Sequence, residues 1–157
     1  MAHAEKYNRD SAVADGQKKT VDVIIPAYRP DREFEKLLHR LEEQEYRPDR
    51  ILVMNTGEQY WNREWEKCPL LEVHHLEQKD FDHGGTRRAA AKLSDADIMV
   101  FMTQDAVPAD QDLIQNLIRP LQENPKVGAA FARQLAREDC AYLEKYTRTF
   151  NYPDKSS

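Results

Sequence analysis

Two adjacent glycines and two arginines stand together in the segment Phe81–Arg88. The chain has only five glycines among 157 residues, so the pair Gly84-Gly85 indicates that the backbone turns sharply or closely approaches another group. A predicted helix starts here, and backbone N–H groups, the helix dipole and guanidinium groups together attract phosphate. The pattern predicts an anion site with Arg87 and Arg88 beside the glycines.

The same segment has a purely structural alternative. Cations in the first turn of a helix oppose its dipole by a few tenths to ~1 kcal/mol each, so the arginines need a negative group nearby. That group is either a bound phosphate or a carboxylate of the chain. The candidate carboxylates are Asp80, Asp82 and Asp95. His83 either donates a hydrogen bond to the phosphate or is a loop histidine with a protein partner.

Asp105 is a candidate ligand for a divalent metal ion. It follows an apolar run and the pair Thr103-Gln104, so its carboxylate emerges at the end of a predicted strand. A single carboxylate near a phosphate can hold Mg²⁺ or Mn²⁺, with phosphate oxygens and water completing the coordination shell. The alternative is a cap or turn residue ahead of a helix predicted to begin near Asp110.

Alternating strands and helices must bring these segments together. The predicted strands are Val21–Ile25, which Pro26 closes, Ile51–Met54, Leu71–His74, Ile98–Met102 and a short fifth strand Val127–Phe131. The predicted helix faces are Phe34, Leu37, Leu38 and Leu41 after the cap Asp31; Thr86, Ala89, Ala90 and Leu93; and Leu113, Ile114, Leu117 and Ile118, before Pro120 interrupts. This pattern predicts an α/β fold with a mostly parallel sheet covered on both faces. Ligands bind such sheets beyond the carboxyl ends of the strands.

Aromatic and histidine residues outside these segments are predicted to be structural. Trp61 and Trp65 stand four residues apart, which is typical of a short helix that packs its aromatic rings on the sheet. His74 and His75 adjoin each other on a strand, so their side chains point to opposite faces and cannot ligate one ion from the same face.

Composition excludes several classes of protein. The chain has 23 basic and 28 acidic residues and a formal charge of −5, which argues against a nucleic-acid partner. It has no apolar run of the ~18 residues that a membrane span needs, and its start lacks a signal peptide. Cys68 and Cys140 are too few for a disulfide framework. These features predict a cytoplasmic protein with a flexible leader over residues 1–20 and one domain over 21–153.

Several segments taken together resemble the family 2 inverting glycosyltransferases, and more narrowly their bacterial rhamnosyltransferase branch. The matching segments are Val23–Tyr28, Phe81–Arg87, Phe101–Pro108, Arg133–Leu135 and Phe150–Pro153. The resemblance implies a GT-A fold, a Rossmann-like three-layer sandwich in which a nucleotide-sugar lies across the strand ends. It covers residues 21–153 and leaves 154–157 as a tail.

The resemblance also implies roles for individual residues. The nucleotide-sugar-binding set is Pro26, Ala27, Tyr28, Asn55, Thr56, His83, Gly84, Gly85, Arg87 and Gln104. Within it, Pro26 to Tyr28 line the nucleoside pocket, and Asn55-Thr56 replace an acidic residue that contacts the base and sugar. Arg87 reaches the nucleotide or its phosphates. Asp105 is the retained carboxylate of an Asp-x-Asp motif and would hold Mg²⁺ or Mn²⁺.

The implied activity is inverting transfer of a sugar in bacterial polysaccharide or glycan synthesis, with dTDP-rhamnose or a UDP-sugar as donor. Members of that family are longer, and their acceptor-binding half carries the catalytic base. We therefore expect this chain to be a donor-binding half that is weakly active or inactive alone, without the base. The inner face of the membrane is a further expected location. A non-catalytic interaction or regulatory protein is the alternative.

Aromatic residues near the end of the chain predict a contact surface. Leu143, Tyr146 and Phe150 recur at helical spacing, with Tyr142 and Tyr152 close by. Little chain remains to cover them, and an uncovered apolar patch of this kind marks an interaction site. We expect weak self-association, or binding of a partner protein, through residues 140–153.

Overall fold

The computed structural model describes residues 18–135 and Tyr146. Most of the predicted leader, the tail 154–157, Cys140 and, Tyr146 apart, the predicted contact segment 140–153 lie outside the described residues. The strands are β1 (Val21–Tyr28), β2 (Arg50–Thr56), β3 (Leu71–Leu76) and β4 (Ile98–Phe101). The α-helices are α1 (Arg32–Glu42), α2 (His83–Leu93) and α3 (Leu113–Glu123), and short 3-10 turns cover Glu58–Tyr60, Arg63–Lys67 and Gln78–Asp80.

The four strands form one parallel sheet in the order β3-β2-β1-β4, which confirms the predicted α/β class. β1 runs three residues beyond the predicted end and passes through Pro26. The Ile24 carbonyl accepts a hydrogen bond from Met102, just after β4 ends. Pro26 has the same parity as Ile24, so its missing N–H faces a side where β4 no longer runs, and the proline breaks no hydrogen bond of the sheet.

The main core lies on one face of the sheet, beneath α1 and α3. Phe34 and Leu37 of α1 and Ile114 of α3 are fully buried against the odd-numbered residues of β1 and β2. The Asp31 side chain caps α1, as predicted, by accepting from the Glu33 N–H. This face carries most of the buried apolar surface of the described chain.

The two tryptophans belong to this core and confirm the predicted short helix. Trp65 lies in the 3-10 turn Arg63–Lys67, and Trp61 stands just before it. The two indole rings are 5.0 Å apart edge to face, and each also contacts the Phe34 ring. Edge-to-face rings at this spacing add to the stabilisation that burial alone provides.

Helix α3 continues further than predicted. We expected Pro120 to interrupt it, but the helix runs through Pro120 to Glu123. The proline removes one N–H, yet its carbonyl accepts from the Asn124 N–H at 3.2 Å and closes the last turn. Ile114 and Ile118 hold the preceding turns in the core, so packing outweighs the local penalty of proline.

The second face of the sheet is covered by α2 and is packed less completely. Its buried apolar residues are Ile24, Leu52, Met54 and Ala90. The predicted helix face is only half correct: Thr86 and Ala90 are buried, whereas Ala89 is exposed and Leu93 is 42% exposed. The reason is that α2 packs over β1 and β2 and presents only its Thr86 and Ala90 side to them.

A cluster of charged side chains occupies the amino-terminal end of this second face. The Arg50 guanidinium lies 2.6 Å from the Asp22 carboxylate and 2.9 Å from that of Glu72. Asp22 also accepts from the Ser94 hydroxyl at 2.6 Å, and Glu72 lies 2.7 Å from His74 Nε2. The hydrogen bond with His74, and to a smaller extent the bond with Arg50, lowers the pKa of Glu72 below its ordinary value. The strands are therefore less uniformly apolar than a doubly covered sheet predicts.

The predicted fifth strand, Val127–Phe131, is wrong. Residues 127–131 form no strand and pair with none of the described strands. Val127 is the only β-branched residue in the segment, and Gly128 and the two alanines after it have little preference for a strand. The Val127 N–H instead closes a turn on the Asn124 carbonyl, and Phe131 is 88% exposed.

Within the described part of the chain, none of the helices has both the length and the apolar character that crossing a bilayer requires.

Candidate functional site

The predicted phosphate and metal segments lie in one cleft of the structure. Arg87 of α2 and Asp105, in the loop after β4, line the same cavity of about 2300 Å³. The parallel strands bring this about, because the loop after β4 starts at the carboxyl edge of the sheet and α2 starts after β3. The cavity also extends to Lys18 and Asp97 at the amino end of the sheet and to residues 128–135, so its volume is larger than the 300–1,000 Å³ of a single small-molecule site.

The start of α2 contains an internal negative group. Asp82 caps the helix, and its carboxylate accepts from the Gly85 N–H. A Cβ on Gly85 would lie 2.7 Å from that carboxylate oxygen, whereas one on Gly84 would meet only the same oxygen at 3.8 Å. The close approach predicted from the glycine pair is therefore made by Asp82 at Gly85. No described protein contact requires a glycine at position 84.

The two arginines of α2 have different surroundings. The half-buried Arg87 donates from its guanidinium to the His83 carbonyl at 3.0 Å, and it lines the cleft. Arg88 is exposed and is not among the residues that line the cleft. Among residues 18–135, neither arginine forms an ion pair, so the alternative pairing with Asp80, Asp82 or Asp95 is not seen there. The positive charge of Arg87 is available to a ligand.

His83 is the first residue of α2 and is exposed. Its imidazole contacts the Phe81 ring edge to face, with the ring centroids 4.9 Å apart. In the described chain its side chain has no hydrogen-bond partner. The alternative of a hydrogen-bonded protein partner for His83 is therefore not seen among the described residues.

Asp105 occupies an exposed tight turn in which the Ala106 N–H bonds to the Thr103 carbonyl at 3.1 Å. Helix α3 begins at Leu113, so Asp105 does not cap it. In the part of the chain that the structure describes, its carboxylate has no hydrogen-bond or ion-pair partner. No group of three or more histidine, cysteine or acidic side chains converges among those residues. A metal here would rely on Asp105 together with oxygen atoms of the ligand, which suits Mg²⁺ or Mn²⁺.

A second, smaller cavity of about 380 Å³ lies at the ends of β1, β2 and β3. Tyr28, Tyr60 and His75 line it. The guanidinium of Arg29 lies 4.4 Å from the centre of the Tyr60 ring, donates to the Tyr60 hydroxyl at 2.9 Å, and also covers Tyr28. Arg29 has a φ of +48°, which is uncommon for a residue with a side chain. Strained backbone of this kind clusters at binding sites.

Sequence reasoning missed Arg29, Tyr60 and His75 as residues of this edge. Tyr60 follows the turn at Gly57, whose φ is +86°, and that glycine was the one available local signal. His75 comes to the cavity through the pairing of β3 with β2, where it stands beside Asn55. That register is a long-range property that no local pattern reveals. The two histidines do point to opposite faces, as predicted, with His74 on Glu72.

Several residues of the expected nucleotide set lie inside the protein. Asn55 and Thr56 are fully buried, and Ala27 belongs to the main core. The Asn55 amide donates towards the Gly57 carbonyl at 3.4 Å and lies 3.0 Å from His75 Nδ1. The remaining oxygen of Asn55 and the Thr56 hydroxyl have no partner in the described chain. Such atoms are uncommon in folded proteins.

Gln104 lies between the two cavities and faces the end of β1. Its side-chain oxygen accepts from the Tyr28 N–H at 2.7 Å, and its amide nitrogen donates to the Tyr28 carbonyl at 3.1 Å. Pro26 stands two residues earlier, half-buried and paired in register with Met54. The structure thus places the predicted residues Tyr28, Gln104 and Asp105 along one edge of the sheet.

Comparison with known proteins gives one family match and two relatives. The model of the family "Glycosyl transferase family 2" matches residues 22–156. O-antigen chain rhamnosyltransferase RfbN of Salmonella typhimurium is 36% identical over 143 residues, which are 87% of this chain and 44% of that protein. O-antigen chain rhamnosyltransferase WbaN of Salmonella anatum is 26% identical over 132 residues, 83% of this chain and 42% of that protein. The chain spans less than half the length of these relatives.

Solved structures show the same fold. The S. aureus TarS fragment 1–349 superposes with a TM-score of 0.57 at 18% identity, over 73% of this chain and 38% of that fragment. A further structure of the TarS fragment, in complex with UDP-GlcNAc, has a TM-score of 0.52. These matches, together with the parallel four-stranded sheet, confirm the expected GT-A fold.

Proposed function

Because the chain belongs to glycosyl transferase family 2, we propose that its cleft binds the diphosphate and sugar of a nucleotide-sugar donor. The observation that carries this proposal is the meeting of Arg87 and Asp105 in one cleft. In the described chain, neither the guanidinium nor the carboxylate forms an ion pair. A diphosphate with a divalent cation complements both groups, since phosphate binds guanidinium and the cation binds carboxylate.

The proposed metal is Mg²⁺ or Mn²⁺, held by Asp105 and the donor phosphates. When bound, the ion would stabilise the negative charge that develops on the departing nucleoside diphosphate. Arg87 acts on the same charge from α2, whose first turn also holds His83 and Gly84. The backbone at Gly84 can approach a phosphate closely because no side chain projects there.

In this proposal the nucleoside binds in the smaller cavity, beside Tyr28. Tyr28 is 41% exposed and offers an aromatic face on which a base can stack. Asn55 and Thr56 lie behind this edge with their unpartnered oxygen atoms fully buried, so in this proposal they contact base or ribose donors only if the edge opens on binding. Pro26 and Ala27 support the same strand end. We infer that the nucleotide part of the donor is a pyrimidine nucleotide, dTDP or UDP.

The two curated relatives are named as rhamnosyltransferases, which favours dTDP-rhamnose over other donors. We propose inverting transfer of this sugar in bacterial glycan synthesis, in the cytoplasm or at the inner face of the membrane. This chain matches 44% and 42% of those relatives. We therefore expect it to bind the donor and to transfer sugar weakly or not at all by itself.

Calorimetric titration of dTDP and of UDP tests the proposal, in Mn²⁺, in Mg²⁺ and in EDTA. We expect binding that EDTA weakens and that Asp105→Asn reduces to the level seen in EDTA. Asp95→Asn is the matched control, because Asp95 is an exposed aspartate that does not line the cleft and stands before β4, at the opposite end of that strand from Asp105. Equal loss in the two variants, or affinity that EDTA leaves unchanged, would contradict the assignment of Asp105.

A further inference from the structure

The edge of β1 is left incomplete where β4 ends. Ile24 is paired with Phe101, the last residue of β4, and receives the Met102 N–H at 3.0 Å. β1 continues to Tyr28, and over this stretch β2 is its one partner among the described strands. Pro26 has no N–H on the open side. The next backbone groups that face this side are the N–H and carbonyl of Tyr28.

The side chain of Gln104 supplies the missing pairing. Its oxygen accepts from the Tyr28 N–H at 2.7 Å, and its nitrogen donates to the Tyr28 carbonyl at 3.1 Å. A backbone N–H can only donate and a carbonyl can only accept, so the two bonds also fix the orientation of the amide. The carboxamide takes the place that a further residue of β4 would occupy. It joins positions that are 76 residues apart in the chain.

From this geometry we infer that Gln104 is a positioning residue for the donor site. It ties the loop that carries Asp105 to the strand end that carries Tyr28, and so sets the distance between the metal ligand and the nucleoside contact. The inference rests on the proposed function for its consequence in binding. The link between loop and strand is a separate structural statement and is tested separately.

The link also bears on the strained residue that follows it. Arg29 has a φ of +48°, and its guanidinium covers the Tyr28 and Tyr60 rings. Backbone strain persists only where neighbouring contacts hold it. The bonds of Gln104 to both backbone groups of Tyr28 supply such contacts directly before Arg29. Loss of the carboxamide therefore frees the Tyr28 ring as well as the Asp105 loop.

Two variants separate this role from others. Gln104→Ala removes both bonds, whereas Gln104→Glu keeps an acceptor for the Tyr28 N–H but sets a carboxylate oxygen against the Tyr28 carbonyl. Gln115→Ala is the matched control, because Gln115 is exposed on α3 and lines neither cavity. Each protein is measured by amide hydrogen exchange at Tyr28 and by dTDP titration with Mn²⁺ and with EDTA.

We expect Tyr28 exchange to accelerate about threefold to tenfold in Gln104→Ala, as the loss of the bond to its N–H implies, and to accelerate less in Gln104→Glu, which keeps an acceptor for that N–H. We also expect the ratio of dTDP affinity in Mn²⁺ to that in EDTA to fall towards one, with no change in Gln115→Ala. Adding Gln104→Ala to Asp105→Asn should lower this ratio no further. A general loss of stability would lower both affinities and leave the ratio unchanged.

Three results would overturn the inference. Unchanged Tyr28 exchange in Gln104→Ala would show that the link does not exist in solution. Weaker dTDP binding with an unchanged metal ratio would make Gln104 a direct nucleotide contact or a purely structural residue. If the wild-type chain binds no nucleotide, the proposed function fails, and with it the positioning role, while the exchange data still decide whether the link exists.

Discussion

Replacing Arg50 by methionine should destabilise the domain far more than replacing a surface arginine. Arg50 contacts Asp22 at 2.6 Å and Glu72 at 2.9 Å, and donates to the Leu93 carbonyl at 2.9 Å. The bond to Asp22, and after it the bond to Glu72, raises the pKa of Arg50 above its ordinary value. Methionine keeps much of the apolar stem and removes every charged contact.

The magnitude follows from how deeply the pair is buried. Removal of one partner of a fully buried ion pair costs about 3–5 kcal/mol. The side chain of Asp22 is 5% exposed, but that of Arg50 is 28% exposed, and the Ser94 hydroxyl still donates to Asp22 at 2.6 Å. We therefore expect a smaller loss of about 2–3 kcal/mol, or roughly 4–12 °C in Tm for a domain of this size.

Urea unfolding followed by circular dichroism measures this loss. Arg63→Met is the matched control, because Arg63 pairs with Glu58 at 2.7 Å and the two side chains are 71% and 57% exposed. Exposed pairs contribute about 0–1 kcal/mol. The double variant Asp22→Leu/Arg50→Met should lose less than the sum of its single changes, since no buried charge is left unpaired. Equal costs for Arg50→Met and Arg63→Met would refute the reasoning.

Three further predictions concern the polar clusters. The pKa of Glu72 is lowered from its ordinary value of 4.5, so its stabilisation is complete above that pH and is lost as pH falls through the lowered value. Urea midpoints should therefore fall less steeply below about pH 4.5 in Glu72→Gln than in wild type. Gly85→Ala places a Cβ 2.7 Å from the Asp82 carboxylate and should cost about 1 kcal/mol by weakening the cap; an unchanged urea midpoint would contradict this. Arg87→Met should weaken dTDP binding about tenfold in calorimetry and reduce its salt dependence, whereas Arg88→Met should leave both unchanged.

The sequence predicts the parts of the fold that depend on local patterns. The β-branched stretches of β1 and β2 and the apolar face of α1 give these elements with the correct type and order. The glycine pair predicts a close approach at the start of α2. Asp82, three residues before Gly85, is also a typical helix cap, and weighing that spacing more heavily would have favoured the carboxylate as the group approached.

The rest depends on contacts between distant residues. Gln104 meets Tyr28 across 76 residues, and His75 meets Asn55 through the register of β3 on β2. Pro120 stays within α3 because core packing outweighs the helix-breaking effect of proline, and that packing cannot be predicted from the local sequence. The local sequence of Val127–Phe131 suggests a strand, but a strand also needs a partner strand, and no described residue supplies one.

The central claim is that one nucleotide spans the carboxyl edge of the sheet, with its metal at Asp105. Paramagnetic broadening of backbone amide signals by Mn²⁺, with and without dTDP, tests it most directly. We predict broadening that needs dTDP and is strongest at residues 103–106, extends to Tyr28 and the start of α2, and is absent around Asp95 and from Asp105→Asn. Broadening centred elsewhere, or unchanged in Asp105→Asn, would contradict the proposed site.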